Sequence, residues 1–557
     1  MSSVANRVIK NTGFLYAKMG ITMFISLYTT RLILNSLGAS DFGIFNIVGG
    51  AISMLGFLNI AMAGATQRFM SYSEGEGNKE KQKSIFNVSF ILHLCISLVV
   101  GIALLIAGFF FFNGILNIPP DRVFAAKVVY GSLIVSTVFT VMTVPYDAAM
   151  NAHENMKYYA IVGIFESLLK LTVAFICVYT SFDKLVVYGS LMACIPLVTL
   201  TIMRVYCHKH YEECVIAPRV YWQKGLMKEM TSFAGWNFMV SISSVVTQNG
   251  LSIVLNNFWG TTLNAAQGVG NQLCGQLQSF SNTMLKAVNP VIAKSEGQNN
   301  RHLMLQVSLK GCKFSYLLMI FFSIPATIEM PYIMKIWLHN VPQWAVLFCQ
   351  LQILRTIIEM LTISLGNAIS AHGIINSYSK LASILNMMPL LFTWLLFRFD
   401  FAPYWMYVVW ISCWSILGGI LKLFYCKRLC GLSYKEYLTA VFIPCMVITI
   451  IVFCAGYMVN CLFEEGLMRL VCVCLTTTIV FILVGWKLIL TKDEKYVIIG
   501  GNGQKQALVR KIGNPEISGV VVVCEGGESS VVKEKVYNAV AAAFNIPSQK
   551  IFVAGSK

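Results

Sequence analysis

The sequence contains few charged residues. Asp, Glu, Lys and Arg make up 12% of its 557 residues, whereas hydrophobic residues make up 57%, and the mean hydropathy is +0.68. A soluble protein carries about twice that share of charge, because charged side chains cover its surface. The composition therefore excludes a soluble globular protein and indicates an integral membrane protein.

The sequence also lacks the spacings that mark metal and disulfide sites. Its 17 cysteines are scattered mainly through apolar segments without a CxxC pair, and its 7 histidines form no cluster at helical spacing. We interpret the cysteines as small apolar residues in a reduced or lipid setting. We predict no metal and no other cofactor.

Long apolar runs recur along the chain, and no cleavable signal peptide is indicated. The first run continues past Leu34 without a small-residue cleavage site. A run must cross ~30 Å of hydrocarbon at 1.5 Å per residue. Fourteen runs are long enough, which predicts an all-α multi-pass membrane protein, and they begin near Gly13, Phe42, Ile85, Val128, Tyr159, Leu185, Thr231, Ala265, Phe314, Ala345, Leu381, Trp405, Thr439 and Met468.

Lysine and arginine are concentrated in every second connector, beginning with the N-terminal segment that carries Arg7 and Lys10. Connectors rich in these residues stay in the cytoplasm. The pattern predicts an even number of spans, with the N-terminus and the C-terminal tail both cytoplasmic. We interpret the net charge of +17 as this topology signal plus attraction to anionic membrane lipids, and not as nucleic-acid binding.

A polar connector is repeated within the chain. Ser73–Asn78 reads SEGEGN, and Ser295–Asn300 reads SEGQNN 222 residues later. With a slip of three residues, AAMNAHE at Ala148–Glu154 aligns with NAISAHG at Asn367–Gly373. The shift of 222 also aligns Asn35 with Asn257, Gly38 with Gly260, Leu116 with Leu338, and Pro120 with Pro342.

These matches fall at the same places relative to the spans, so spans one to six and seven to twelve are predicted to be two copies of one bundle. Because six is an even number, the copies are parallel and related by an axis along the membrane normal. The predicted units are an N-terminal lobe at 1–206, a cytoplasmic linker at 207–230, a C-terminal lobe at 231–425, two further helices at 439–490, and a small α/β tail domain at 496–557.

Several ionisable residues lie within the spans. Each costs at least ~2.5 to 3.5 kcal/mol in hydrocarbon and should therefore face protein or water. Cations deep in four different spans suit an anionic substrate. The candidates are Lys18, Arg31, Asp147, Glu166, Lys170, Lys286, Arg355 and Glu359.

Some of these residues have a purely structural alternative. Glu166 with Lys170, and Arg355 with Glu359, are four residues apart and share a helix face, so each set is either an internal ion pair or part of binding or coupling. Arg31 lies near an outward connector and either reaches the interface or faces a cavity. Lys286 has no acidic residue within four positions and is the best candidate for an anion contact.

The eighth span is polar and rich in glycine: NAAQGVGNQLCGQLQSFSNTMLKAVNP. Gln267, Asn271, Gln278 and Lys286 recur at intervals of four, seven and eight residues, which predicts one amide-lined stripe on a helix face. Helix packing explains the glycines but not so many amides. We predict that the stripe faces an aqueous cavity and binds sugar hydroxyls or phosphates.

Three segments resemble bacterial oligosaccharide flippases of the multidrug, oligosaccharidyl-lipid and polysaccharide exporter superfamily. They are NTGFLYAKMGITMFISLYTTRLILNSLGASDFGIFNIVGG, ATQRFMSYSEGEGNKEKQKSIFN and VPYDAAMNAHENMKYYA. The resemblance covers residues 1–493. It implies two six-helix lobes and the transfer of a polyprenyl-diphosphate-linked oligosaccharide across the bacterial cytoplasmic membrane for surface polysaccharide or lipopolysaccharide (O-antigen) synthesis. It further implies that cavity cations bind the diphosphate, here Lys286, Arg31 and Arg355.

The resemblance leaves one alternative within the superfamily. Drug-exporting members commonly use an acidic residue in the first span for cation coupling, whereas this span offers Lys18 and Arg31 and no acid. A multidrug or cation antiporter is therefore the alternative function, and the flippase is the favoured one. We do not expect an enzyme, because the largest outward connector, Asn113–Lys127, offers only Asp121 and Arg122 as charged groups before its final lysine.

The composition changes near Tyr496. ISGVVVVCEGG predicts a buried strand, Ser529 or Ser530 caps a predicted helix at Val531–Phe544, and KIFVAG predicts a closing strand. No GK[ST] follows the glycines, so a nucleotide site is not indicated. GVVVVCEGG and VVKEKVYNAVAAAFNIP resemble the ring-building domain of a stage III sporulation protein of the AG type, which implies self-association. We expect a join between the two parts near DEKYVI.

Overall fold

The computed structural model describes residues 2–53, 57–115, 118–338, 341–491, 520–524, 528–544 and 551–555. The chain divides into two compact units, Met1–Gly501 and Asn502–Lys557. The expected join at residues 493–498 lies outside the described residues, and so do residues 500–519 of the tail. Each unit is described by itself.

The first six predicted spans are formed by the first six helices, with the second span made of the end of α1 and α2. Their side chains are mainly apolar, and polar turns separate the helices from each other. Asn78 and Asn155 cap the N-termini of α3 and α5, because their side chains accept hydrogen bonds from the first turns of these helices. The helices are α1 at Ser2–Ser53, α2 at Phe57–Glu76, α3 at Lys79–Phe110 with a π-helical turn at Phe111–Ile115 and a 3-10 turn at Pro120–Arg122, α4 at Val123–Ala152, α5 at Met156–Tyr179 and α6 at Lys184–His210.

The second set of six spans begins after a short helix in the linker, α7 at Pro218–Tyr221. The tenth span is broken by 41° between two helices, and the twelfth contains π-helical turns at Ile411–Leu417 and Cys426–Cys430. The helices are α8 at Lys224–Trp259, α9 at Thr261–Gly297, α10 at Arg301–Ile328, α11 at Met330–Trp337, α12 at Ala345–Met360, α13 at Ile363–His372, α14 at Asn376–Arg398, α15 at Trp405–Trp410 and α16 at Gly418–Tyr425.

Two more spans follow, formed by α17 at Tyr434–Tyr437, π-helical turn Leu438–Phe442 and α18 at Ile443–Leu462, then α19 at Leu467–Val484 and π-helical turn Gly485–Ile489. A helix or a run of helices thus lies at each of the fourteen predicted positions. Among the described residues, ten helical segments are long and apolar enough to cross a membrane, or eleven with the bent pair. This result confirms the all-α multi-pass fold.

The backbone shows that the two six-helix lobes are copies. Gly38 and its counterpart Gly260 have φ values of 78° and 81°, a left-handed region that favours glycine. Gly38 breaks α1 between the first two spans, and Gly260 separates α8 from α9. Asn78 and its counterpart Asn300 both cap helices through their side chains. The predicted parallel repeat is therefore confirmed.

Among the described residues, the hydrophobic clusters that join the lobes lie at one end. We call this end the connector end, because Ser73–Asn78 and Ser295–Asn300 lie there. The largest buried cluster combines Met70 of α2, Tyr146 of α4, Ile292 of α9 and Ile448 of α18. Toward the opposite end, each lobe has clusters of its own, such as those around Val129 and around Phe348, Tyr407 and Trp410.

A buried ion pair attaches the last two spans to the second lobe. Glu329, at the junction of α10 and α11, is fully buried. Its carboxylate accepts hydrogen bonds from Arg469 Nη2 of α19 at 3.0 Å and from Asn460 Nδ2 of α18 at 2.9 Å. Both carboxylate oxygens therefore have partners, which offsets the cost of burying the charge.

The described part of the tail contains helix α20 at Ser530–Phe544 and two strands, β1 at Val520–Cys524 and β2 at Ile551–Gly555. The strands pair in parallel, with Val520 opposite Ile551 and Cys524 opposite Gly555. A parallel pair needs a crossover connection, and α20 lies between the two strands in the sequence. The fold of the whole tail stays a prediction, because much of it lies outside the described residues.

Candidate functional site

A cavity of about 500 Å³ separates the two lobes on the side away from the connector end. Helices α1, α5 and α6 of the first lobe form one wall, and α9 of the second lobe faces them. Its size falls within the range of pockets that bind small molecules. The site thus lies at the interface of the two repeats, where parallel-repeat transporters bind their substrates.

The first wall carries hydroxyl groups from α1. Thr22, Ser26, Thr29 and Thr30 line the cavity, and their spacing of four, three and one residues keeps them on one helix face. Phe24 lies on another face of the same helix and is 81% exposed. In a membrane, α1 therefore presents a polar face to the cavity and an apolar face to lipid.

The opposite wall is the polar face of α9. Gln276 and Ser279 line the cavity, and the exposed amide side chains of this helix are Asn271, Gln272, Gln276 and Asn282. An amide-lined helix face is therefore present, and Asn271 of the predicted stripe belongs to it.

The four residues of the predicted stripe, Gln267, Asn271, Gln278 and Lys286, differ in their surroundings, and their role in binding stays a prediction. Gln267 is 1% exposed, and neither of its amide atoms has a protein partner among the described residues. Gln278 is only half-buried, and the described lining of the cavity includes neither Gln278 nor Asn271. Lys286, nineteen residues after Gln267, lies about 100° around the helix from it, and the exposed amides of α9 are centred near the direction of Lys286.

Two lysines from different lobes meet at one aromatic ring between the cavity and the connector end. Lys286 Nζ of α9 lies 3.6 Å from the centre of the Tyr159 ring of α5. Lys18 Nζ of α1 lies 4.2 Å from the same centre. The ring's electron-rich face attracts both ammonium groups. Lys286 and Lys18 are thus brought together although 268 positions separate them.

Asp147 is the acidic partner of this cluster. Its charge acts on Lys286 and Lys18, and Glu166 also contributes to the local field. The Oδ1 atom of Asp147 is buried and has no hydrogen-bond partner among the described residues. We name Lys18, Asp147, Tyr159 and Lys286 the charge cluster. Because Lys170 pairs with Glu166, Asp147 is the carboxylate that opposes the two ammonium groups, and the cluster can accept a further negative charge.

The remaining sequence candidates lie elsewhere or form internal pairs. Arg355 Nη1 donates to Glu359 at 3.0 Å, and its guanidinium stacks on Trp410 within the second lobe. Lys170 Nζ lies 2.7 Å from Glu166 Oε1, although Lys170 also lines the cavity.

Arg31 is exposed, and the described lining of the cavity includes its neighbour Thr30 but not Arg31. Both intrahelical pairs anticipated from the four-residue spacing are therefore present. A binding role for Arg31 or Arg355 stays a prediction, and neither belongs to the charge cluster.

Sequence reasoning missed Tyr159 and the hydroxyl wall of α1. Thr22, Ser26 and Thr29 recur at helical spacing within an otherwise apolar span, so a search for small hydroxyl residues on one face would have found them. Tyr159 gave no signal, because tyrosine is common near membrane interfaces. Only the packing of α5 against α1 and α9 identifies its position.

At the connector end, charged residues of both lobes meet. Lys294 Nζ of α9 lies 3.6 Å from Glu74 Oε1 of α2 and 3.9 Å from Glu154 Oε1. His153 Nε2 lies 2.5 Å from Glu213 Oε1 in the segment after α6. This network links the first lobe, the second lobe and the start of the linker.

We expect Glu213 to make the stability of the connector end depend on pH. Burial raises the pKa of Glu213, but the hydrogen bond from His153 and the charges of His153 and Lys79 outweigh it, so the pKa lies below the ordinary value of 4.5. A lowered pKa means that the ionised carboxylate stabilises the fold above about pH 4.5 and that this stabilisation is lost as the pH falls through the folded-state pKa.

The measurement is the difference in Tm between the wild type and Glu213→Gln in detergent, from pH 7 downward. The difference should be largest near neutral pH and should shrink below pH 4.5. Glu80→Gln is the matched control, because the Glu80 side chain is 71% exposed. A Tm difference that does not change with pH would contradict the prediction.

Comparison with known families gives two matches. Residues 8–296 match the family described as "Polysaccharide biosynthesis protein". Residues 490–557 match the family described as "SpoIIIAG C-terminal domain", which agrees with the resemblance of the tail; self-association of the tail stays a prediction. No curated protein matches the sequence.

Solved structures show the same fold at low sequence identity. A MATE protein in the bent conformation has a TM-score of 0.66 at 13% identity, covering 78% of this chain and 98% of that one. An outward-facing multidrug resistance MATE family transporter of the MOP superfamily has a TM-score of 0.64 at 14% identity, with coverage of 77% and 98%.

A MOP superfamily transporter from Pyrococcus furiosus has a TM-score of 0.62 at 13% identity, also covering 77% of this chain and 98% of that one. Its description reports a reversed polarity of the binding pocket that suggests a different function. At these identities the structures establish the shared fold and nothing further about the substrate.

Proposed function

Because the chain belongs to the polysaccharide biosynthesis protein family, we propose that it is a flippase for a polyprenyl-diphosphate-linked oligosaccharide. The family and the fold identify a multi-pass membrane transporter of the MOP superfamily. Translocation would run from the cytoplasmic to the outer leaflet of the bacterial cytoplasmic membrane, by alternating access of the two lobes, and would serve surface polysaccharide or lipopolysaccharide synthesis.

The charge cluster is the observation that carries this proposal. Lys18 and Lys286 belong to different lobes and share the Tyr159 ring, and Asp147 provides one opposing carboxylate. A diphosphate carries at least two negative charges and would bind both ammonium groups, which favours contact between the lobes around the ligand. A cationic drug would be repelled by the two lysines.

The walls of the cavity suit the glycan and its lipid. Hydroxyls of α1 and amides of α9 supply donors and acceptors for sugar hydroxyl groups. Phe24 and Leu27 of α1 are 81% and 64% exposed, and they lie outside the hydroxyl face, on the side of the helix that would meet lipid. The isoprenoid chain can therefore stay in the bilayer while the head group enters the cavity.

The proposed orientation places the connector end in the cytoplasm, together with the N-terminus. The lysine- and arginine-rich connectors support it, and they would also contact anionic lipids of the inner leaflet. The cavity then opens toward the outer face, so the described conformation corresponds to the stage at which the lipid-linked glycan is released.

Reconstituted vesicles test the proposal directly. The probe is a fluorescent glycan linked through a diphosphate to a polyprenol of medium length, placed in both leaflets, and its transfer is followed with a membrane-impermeant quencher. Vesicles with the protein should expose the probe from the inner leaflet, and protein-free vesicles should not. No difference between the two vesicle types would refute the flippase.

The alternative is a multidrug or cation antiporter, with which the shared MATE fold is equally compatible. That function predicts proton or sodium flux stimulated by a cationic drug in the same vesicles, without any requirement for the glycan lipid. Flux without lipid transfer would establish the alternative in place of the flippase.

A further inference from the structure

The two repeated glycines of the connectors touch the backbone of the opposite lobe. A Cβ atom added at Gly75 of α2 would overlap the carbonyl oxygen of Lys294 in α9, and one added at Gly297 of α9 would overlap the carbonyl oxygen of Tyr72 in α2. Since 72 and 294 are themselves related by the repeat shift of 222, the two contacts are equivalent. They form a self-complementary contact around a pseudo-two-fold axis.

A second pair of equivalent contacts surrounds the glycines. Glu74 Oε1 lies 3.5 Å from His153 Nδ1 in the first lobe, and Glu296 Oε1 lies 3.3 Å from His372 Nδ1 in the second. These residues are the glutamates of the repeated connectors and the histidines of the repeated AH motifs. Each lobe thus braces its glycine segment through the same two side chains.

The contact between the lobes is polar behind the glycines. A cavity of about 170 Å³ lies between α2, α8, α9 and α13. Its lining includes Arg68 of the first lobe and Asn237, Asn289 and Asn367 of the second. Arg68 Nη2 donates to the carbonyl oxygen of Ala371 across the lobes at 3.0 Å, while its Nε has no partner among the described residues.

A permanent interface would gain most from apolar packing, because separating apolar surfaces in water is costly. A polar lining separates at less cost, because water can take over the hydrogen bond from Arg68 to the carbonyl oxygen of Ala371 and can solvate the asparagines. The glycine contact likewise consists of backbone atoms, and the apolar contact beside it, where Phe69 of α2 meets Phe233 of α8, must separate with it. The connector end therefore combines close packing with a surface that water can enter.

We propose that Gly75 and Gly297, braced by the Glu74–His153 and Glu296–His372 pairs, form a two-fold gate that seals the connector end and opens when the lobes rock apart. This gate rests on the proposed transport function and specifies the part that moves. Any side chain at either glycine holds the backbones of α2 and α9 apart, so the gate closes only with glycine at both positions.

The first test measures the distance between the lobes at the connector end. Spin labels attached through non-canonical amino acids at the exposed positions Lys157 of α5 and His302 of α10 report that distance by double electron-electron resonance, with every native cysteine retained. Gly75→Ala and Gly297→Ala should each shift the distance distribution toward longer values. An unchanged distribution in both variants would overturn the proposal.

The matched control is Gly225→Ala. Gly225 also lies at the connector end, in the first turn of α8, but a Cβ atom added there would have no neighbour within 4 Å. This variant should keep the wild-type distance distribution. A shift as large as that of the gate variants would show that glycine content, and not the contact, controls the opening, and would also overturn the proposal.

A charge variant tests the gate without a packing conflict, should the glycine variants fail to fold. Lys294→Glu places a third carboxylate beside Glu74 and Glu154, which lie 3.6 and 3.9 Å from the present ammonium group. Repulsion should lengthen the measured distance, and the added exchange Glu74→Lys should shorten it again. Unchanged distances in Lys294→Glu would overturn the proposal.

These distances are measured without substrate, so they test the gate separately from the flippase function. Vesicles that fail to transfer the glycan lipid, combined with glycine-dependent distances, would refute the flippase alone. Transfer that persists in glycine variants with unchanged distances would refute the gate alone.

Discussion

Replacing Lys286 with alanine is expected to slow transfer of the diphosphate-linked glycan by about ten- to a hundredfold, because a hydrogen bond to a charged group contributes about 1.5 to 3 kcal/mol. Lys286 is the second lobe's contribution to the charge cluster, with its ammonium 3.6 Å from the Tyr159 ring centre. Without it the diphosphate would meet Lys18 alone, opposed by Asp147. The measurement is the initial rate of probe transfer in vesicles at equal protein density.

Two further variants sharpen this prediction. Lys286→Arg should retain most of the rate, since it keeps the positive charge and the stacking on Tyr159. Lys224→Ala removes an exposed lysine at the start of α8 and should leave the rate unchanged. Equal rates for Lys286→Ala and the wild type, at both low and saturating probe concentration, would exclude an anion-binding role for this residue.

Replacing Glu329 with alanine is expected to destabilise the protein by about 3 to 5 kcal/mol, because removing one partner of a buried ion pair leaves the other charge uncompensated. Glu329 is fully buried, and Arg469 contacts its carboxylate with two nitrogen atoms. The loss should detach α18 and α19 from the second lobe before the rest unfolds. Chemical unfolding in detergent, followed by tryptophan fluorescence, measures the effect.

The second partner supplies the decisive comparison. In Glu329→Ala with Arg469→Met, no uncompensated charge remains, so most of the lost stability should return. Glu465→Gln breaks an exposed pair with Lys335 on the same side of the protein and should leave the unfolding midpoint unchanged. If the double variant is no more stable than Glu329→Ala, packing and not charge accounts for the loss.

The fold could be predicted from the sequence because its determinants are local. Each apolar run specifies a helix through its own length and composition, and the even number of spans per repeat determines the parallel arrangement. Gly38 and Gly260 show why the repeat could be recognised in the sequence. Both positions have the same backbone conformation with positive φ, which favours glycine in each copy. Such positions keep their identity even where the surrounding sequence has diverged.

The site was predicted only in part, because its geometry depends on which helix faces meet. Lys286 could be selected from the cost of an unpaired charge in a span, and Asp147 from the same rule. Their meeting at Tyr159 depends on the packing of α1, α4, α5 and α9, which no spacing along the chain specifies. Gln267 is buried because neighbouring helices cover its side of α9, and spacing along the chain does not specify which side they cover.

The contact between the two connectors could not be predicted from the sequence. SEGEGN and SEGQNN mark equivalent positions in the repeat, and the sequence gives no reason to expect that they touch. Their contact is long-range, since Gly75 meets a residue 219 positions away. Glycine is required at both positions because a backbone carbonyl of the opposite lobe leaves no room for a Cβ atom. A single sequence shows the two glycines but not the carbonyls that they contact.

The equivalence of the two glycine contacts also bears on how the chain arose. Each six-helix lobe carries both parts of the contact: a glycine, and a backbone carbonyl three residues before it that contacts the glycine of the other lobe. A single lobe therefore already possesses the surface with which a second copy of itself can pair. Joining two such copies requires only the segment between α6 and α8, after which each half is free to diverge, as Tyr72 and Lys294 already have. The transporter can thus be understood as a homodimer that became one polypeptide and kept its dimer contact.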